Sequence, residues 1–283
     1  MSAGEWTQPH SFDPGDDPSM DEENRIKVLS FGGGIQSSAL YVMAALGEID
    51  RPDFAVFADT RGEKRETYEW IWYLAERFGD VLPIVIGNVG DLGEDLLRSA
   101  QENGGRCSNP PLFTLPRGML IQKCTADYKV TAIKRAIRKR LGWSRRGRPP
   151  QIVEQWIGIS TDEADRMKTS PVKWQILRYP LIERRMNRSD CVAFLSRSVG
   201  TLPPKSACVF CPYQSASRWR SLKESSPEDF ERACQIDEAI RDGIDGTRER
   251  LFLHVSRSPL REAIFDGGQR DLFGDECSGI CGV

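Results

Sequence analysis

Ile26–Leu46 reads IKVLSFGGGIQSSALYVMAAL. Ile26–Phe31 is a short run with strand character, Gly32–Gly34 is a stretch without side chains, and Ser37–Leu46 has the small, apolar make-up of a helix packed on a sheet. The alternation continues downstream. Phe54–Ala58 is a second buried strand ending at Asp59; Glu66–Phe78 is a helix with Ile71, Leu74, Ala75 and Phe78 turned inward; Val81–Ile86 is a third strand. Strand, helix, strand, helix, strand predicts an α/β fold built on a doubly wound parallel sheet.

Gly87–Pro116, rich in Gly, Asn and Pro, is expected to wrap as a loop over the carboxyl ends of the strands. Helix resumes over Ala126–Leu141, with Val130, Ile133, Ile137 and Leu141 on one face and Lys134, Arg135, Arg138 and Lys139 on the rest. Gln151–Ile159 is a further strand. If parallel to the first, it delivers Ser160–Arg166 to the same edge as Asp59, the edge where open α/β sheets hold ligands. From Pro180 the pattern changes to short helices, Asp190–Ser198 and Pro227–Arg241 among them, read as a helical C-terminal appendage that closes the site. The expected organisation is an acidic leader over residues 1–24, an α/β domain over 25–180, a helical cysteine-bearing region over 181–264 and a flexible cysteine-bearing tail over 265–283.

Composition narrows the chemistry. With 39% hydrophobic and 28% charged residues the chain reads as soluble and globular. No apolar run reaches the roughly 18 to 20 residues that span a bilayer. The first 24 residues hold seven carboxylates and no Lys or Arg, unlike a secretory signal, so a cytoplasmic protein without a membrane partner is expected. Eight cysteines in that setting are thiols, metal ligands or redox groups rather than a disulfide framework. The two histidines, His10 and His254, are too few for a histidine-rich zinc hydrolase. Lys123–Arg148 carries ten Lys or Arg against the single carboxylate Asp127, either a solvated helix face with a basic loop or a surface for a polyanion such as RNA or DNA.

Three glycines between a strand and a helix let anionic oxygens approach backbone N–H groups at the positive end of the helix, and Ser37 and Ser38 add hydroxyls. The spacing matches neither the dinucleotide fingerprint nor the Walker A motif. In GISTDEADRM, Gly158–Met167, Arg166 suits an anion clamp, while Asp162 and Glu163 suit either magnesium or a helix cap. Cys208-Val-Phe-Cys211-Pro sets two thiolates at the spacing of a zinc or iron–sulfur turn; a buried structural pair and a redox dithiol are the other readings. Cys191 and Cys234 sit in helical patterns as small core residues, and Cys107 lies in the Gly/Pro loop.

The SFGGGIQSS segment, Ser30–Ser38, resembles the pyrophosphate loop of the adenine nucleotide alpha hydrolase-like ATP-pyrophosphatase superfamily, in its branch of phosphoadenylyl-sulfate reductases and iron–sulfur sulfur-inserting relatives. Gln36 stands where many members have Asp. FADTRGEKRETYEW, Phe57–Trp70, is similar to the family stretch after the second strand, with Arg61 and Arg65 in place of its Gly and Pro, and GISTDEADRM looks like a third family element. The resemblance covers about half the chain, Val28–Met167. It implies ATP and Mg2+ as cofactors, with Ser30, Gly32, Gly33, Gly34, Gln36, Ser37, Ser38, Asp59 and Thr60 around the nucleotide and Arg166 and Lys129 as catalytic cations.

It also implies Cys124, Cys208 and Cys211 as ligands of a [4Fe–4S] cluster, zinc being the alternative, with Thr125 where the reductases carry a second adjacent Cys. In the tail, Cys277 and Cys281 are expected either to supply a fourth ligand or to handle sulfur as catalytic thiols; a third reading gives them no specific role. The function expected is ATP-dependent, adenylating sulfur insertion into a nucleic acid, base or small metabolite, with a sulfur donor as a further partner. One alternative is an adenylyl-sulfate or phosphoadenylyl-sulfate reductase; the other is a non-enzymatic nucleic-acid-binding protein with a structural zinc clip. The acceptor, tRNA, DNA or a small molecule, would approach through residues 123–148. The oligomeric state is left open.

Overall fold

A computed structural model describes residues 24–101, 109–116, 118–147 and 149–265 of the chain. Cys107, Cys277, Cys281, nearly all of the acidic leader and the tail beyond residue 265 lie outside the described residues.

Five strands form one parallel sheet: β1 (Ile26–Ser30), β2 (Phe54–Ala58), β3 (Ile84–Gly87), β5 (Val153–Ile157) and β6 (Gln175–Arg178), in the order β3-β2-β1-β5-β6. Side chains alternate across the strands, so the two faces bury different residues. On one face Leu29, Ala55, Phe57 and Trp156 pack against α1 (Ile35–Leu46), α2 (Arg65–Phe78) and α6 (Arg188–Ser198). On the other, Val28, Val56 and Val153 meet Ala132, Ile133, Ala136 and Ile137 of α4 (Thr131–Arg140). Helices on both faces make the sheet doubly wound, as the alternation predicts.

Chain order reverses at β1, which is flanked by β2 on one side and β5 on the other. The turns leaving β1 and β5 therefore open side by side at the carboxyl edge, the switch point at which such sheets form a crevice.

Three elements depart from the sequence expectation. Within Gly87–Pro116, expected as loop, α3 runs over Leu92–Gln101, and Phe113–Thr114 forms the short strand β4. Asp91 starts α3: its Oδ1 accepts from the N–H groups of Gly93 and Glu94 at 2.9 and 3.1 Å. Leu92 and Leu96 are buried on its inner face. The strand expected at Val81–Ile86 begins only at Ile84, because Val81 and Leu82 hydrogen-bond back to Phe78 and close the preceding helix.

The segment after β6 divides between two cores. The short α5 (Pro180–Glu183) and α6 join the core around α1, through Leu181, Phe194 and Leu195. In contrast α7 (Ala216–Ser225), α8 (Pro227–Ala239) and β7 (Leu251–Phe252) build a second core with α3, centred on Phe210, Trp219 and Leu253, and β7 pairs antiparallel with β4. Cys191 and Cys234 are fully buried in these two cores, and burial raises both thiols, to about 12 and about 11. Among the described residues no helix is long and apolar enough to cross a membrane.

Candidate functional site

The turn leaving β1 is shaped by three glycines with different duties. Gly33 has φ +73°, a conformation costly for any residue with a Cβ, and a Cβ there would stand 3.4 Å from Thr67 Cγ2. Gly34 is the N-cap of α1 and no acidic residue lies in the first helical turn, leaving its positive end for an outside anion. Ser37 folds back, its Oγ accepting from Gly32 N–H at 3.2 Å. Gly158, at the end of β5, presses on this loop so closely that a Cβ would lie 2.8 Å from Ser37 N.

In front of the loop is a cavity of about 300 Å3. Ser30, Gly32, Gly34, Gln36 and Ser37 form its floor, and Glu163, Arg166 and Arg188 one wall. Lys129, Lys205 and Arg218 complete the lining charges, so among the described residues five cations and one carboxylate face the space, and the field selects an anion. Ser38 is fully buried and accepts a 2.9 Å hydrogen bond from Trp70 Nε1, joining α1 to α2. It does not line the cavity, and neither do Gly33, Asp59 and Thr60.

Gln36 organises the wall. Its Oε1 accepts from Arg188 Nη1 at 3.0 Å, while its Nε2 donates to Glu163 at 3.1 Å and to Ser160 at 3.4 Å. Glu163 also pairs with Arg166. Asp162 turns elsewhere, accepting at 3.0 Å from the backbone N–H of Arg188 at the start of α6. Burial opposes its charge, but hydrogen bonds from Ser160 and from the Asp162 and Arg188 backbones prevail, holding its carboxyl below the usual range. Of the two uses open to these carboxylates, Asp162 serves helix docking and Glu163 faces the cavity.

Lys129 reaches the cavity because Thr125–Val130 is a π-helical turn, which widens the helix by one residue and brings Tyr128, Lys129 and Val130 inside. Its Nζ lies 3.6 Å from Glu63, whose side chain is 1% exposed. Glu63 also accepts from Ser206 Oγ at 3.2 Å and bridges by backbone to Cys208. Thr60 Oγ1 lies 3.2 Å from Cys208 Sγ, and Val209 N–H donates to Gly62 O at 2.7 Å. The loop after β2 thus cradles the Cys208–Cys211 turn. Asp59 Oδ1 accepts from Arg61 N–H and Tyr68 Oη at 2.7 and 2.8 Å. Arg61 takes φ 56°, the left-handed conformation that favours glycine.

Burial pushes the Cys208 thiol well above its ordinary range, with the Glu63 charge adding to the effect and Cys124 near enough to contribute. Cys124 and Cys208 pack against one core, and Cys211 N–H donates to Cys208 O at 3.0 Å. Cys124 and Cys208, distant in the chain, thus border the same core. Among the described residues no group of three or more His, Cys, Asp or Glu side chains is arranged to hold a metal ion. In the basic stretch, Arg138 is drawn in, donating to Ser144 O at 2.5 Å and lying over the Trp174 ring, while Arg135, Lys139, Arg140, Arg145 and Arg146 are exposed.

Sequence reasoning missed four of these residues. Glu63 lay within the motif after β2 without a role; Arg188, Lys205 and Arg218 come from segments whose path over the sheet has no local signature.

Fold and site define a doubly wound α/β protein with a cationic anion cavity at its switch point. No protein-family model and no curated protein matches the chain. Among solved structures it is similar to the phosphate complex of phosphoadenylyl-sulfate (PAPS) reductase from Candida auris, at 14% identity and a TM-score of 0.40, over 63% of this chain and 74% of that one.

Proposed function

We propose that the chain is an enzyme that takes an adenine nucleotide by its phosphates in this cavity and performs sulfur chemistry at the neighbouring thiols. The observation that supports this best is a glycine loop and helix N-terminus facing Lys129, Arg166 and Arg188 across one cavity, with Lys129 joined through Glu63 to the Cys208 turn. The favoured reaction is ATP-dependent sulfur insertion. An acceptor oxygen attacks the α-phosphorus, its new O–P bond replacing the bond to pyrophosphate; a sulfur nucleophile then displaces AMP. The N–H groups around Gly32–Ser37 and the cavity cations stabilise the leaving pyrophosphate.

A [4Fe–4S] cluster on Cys124, Cys208 and Cys211 belongs to this proposal, with zinc as the alternative, and would supply a soft site for sulfur. Cys277 and Cys281 are proposed as sulfur-handling thiols or a fourth ligand, and the exposed cations of residues 123–148 as the approach for a nucleic-acid acceptor. A second reading, reduction of an already activated adenylyl sulfate, is favoured by one observation: position 36 of the loop is an amide, without the carboxylate that assists adenylation in the family. Anaerobic turnover with ATP and candidate acceptors, read as acceptor mass, AMP and pyrophosphate, tests the first reading. Sulfite released from adenylyl sulfate without ATP would replace it with the second.

A further inference from the structure

The cavity lies where phosphates are expected, yet its charges are not those of a magnesium site. A divalent cation of that kind is held by carboxylate oxygens, phosphates and water. Among the described residues, Asp59, Glu63, Asp162 and Glu163 follow β2 and β5 at this edge of the sheet, and each is already engaged. Asp59 takes the Arg61 N–H and the Tyr68 hydroxyl on one oxygen, and does not line the cavity. Glu63 is buried against Lys129 and Ser206. Asp162 holds the start of α6. Glu163, the one carboxylate facing the cavity among the described residues, is taken by Arg166 and by the amide of Gln36.

Gln36 is decisive. Arginine can only donate and an ionised carboxylate can only accept, so a side chain between Arg188 and Glu163 must present an oxygen to one and an N–H to the other. An amide does both. Aspartate at this position, one methylene shorter, would bring no N–H to Glu163, whose oxygen lies 3.1 Å from Gln36 Nε2, and would set a second negative charge beside it. The wall is therefore built around a neutral residue, with Lys129, Arg166, Arg188, Lys205 and Arg218 supplying the positive charge.

We infer that the cavity binds its nucleotide or polyphosphate as the uncomplexed anion, the net positive charge of its lining doing the neutralisation a magnesium ion would otherwise perform. The inference rests on reading the cavity as a phosphate site, and it departs from the Mg2+ expected from the family resemblance: the donor set among the described residues does not fit that ion. The ligand class is a free phosphate-bearing anion, for which the magnesium complex is the poorer form because part of its charge is already cancelled.

Titration calorimetry of the full chain with ATP and, separately, inorganic pyrophosphate, each in EDTA and in excess Mg2+, tests this. Affinity in EDTA is expected to equal or exceed that in Mg2+. Binding at least about tenfold tighter in Mg2+ would overturn the inference while leaving the phosphate site in place. Failure of both probes in both buffers would overturn the phosphate reading and the inference with it. Gln36→Asp supplies a second arm: the new carboxylate is expected to weaken binding in EDTA by about tenfold or more and to make it recover with Mg2+. A folded Gln36→Asp protein that binds in EDTA as the wild type does would count against the inference, and the wild-type comparison stands alone should the variant not fold.

Discussion

Gly158→Ala isolates the contact that shapes the anion loop. An added Cβ would lie 2.8 Å from Ser37 N, 3.0 Å from Ser37 Cα and 3.2 Å from Gln36 C, all backbone atoms that no side-chain rotation can move. Comfortable contact starts at about 3.5 Å, so the first turn of α1 must retreat by roughly half an ångström. Overpacking of this kind costs about 1–3 kcal/mol. In a chain of this size that lowers Tm by roughly 2–10 °C. The retreat also carries the loop N–H groups away from a bound phosphate, and affinity for pyrophosphate is expected to fall about tenfold, or 1.4 kcal/mol. Thermal unfolding and calorimetry measure the two effects. Gly32→Ala is the control for stability: its Cβ meets only Ser37 Oγ at 3.8 Å, and unfolding should shift by less than about 0.5 kcal/mol. A Gly158→Ala protein as stable as wild type, with unchanged pyrophosphate affinity, would refute the reasoning.

Two further outcomes are expected. Lys129→Met leaves the Glu63 charge buried without its partner and should cost about 3–5 kcal/mol in urea unfolding, most of it regained in the Lys129→Met, Glu63→Gln double variant; a single-variant cost under about 1 kcal/mol would show that the pair is not a buried one. His254 is 1% exposed and burial lowers its pKa from the ordinary 6.5 to about 4. The folded state thus holds it neutral while the unfolded chain takes up a proton, so its contribution is present above pH 6.5 and is lost as pH falls from 6.5 towards 4. The loss is of order 3 kcal/mol. His254→Gln should remove that part of the pH dependence, and identical pH–stability curves for the two proteins would disprove it.

The sheet was legible because its signals are local. Phe54–Ala58 is a continuous buried run that ends where the strand ends, and the β1–glycine–α1 stretch carries its own punctuation. Helix α3 escaped because the Gly, Asn and Pro around it dominate the composition, although Asp91, Leu92 and Leu96 form a cap and an apolar face. Ser38 was placed at the site by adjacency to Ser37. Consecutive helical residues point about 100° apart, so one serine faces the cavity and the other faces Trp70. Arg188, Lys205 and Arg218 gain their meaning from tertiary packing alone: two lie in first helical turns and one follows a Pro-Pro pair, positions that in sequence suggest only solvated charge. Glu63 was hidden for a related reason, since its buried partner lies on a π-helical turn 66 positions further along the chain.

The most direct test of a phosphate-binding cavity at the switch point is calorimetric titration of ATP into the wild-type chain and into the Arg166→Ala, Arg188→Ala double variant. One ATP per wild-type chain is expected, displaced by pyrophosphate and weakened by salt, with affinity in the variant down by at least about a hundredfold as two charge-assisted contacts are lost. Absence of ATP binding to the wild type, or binding that the double variant leaves unchanged, would contradict it.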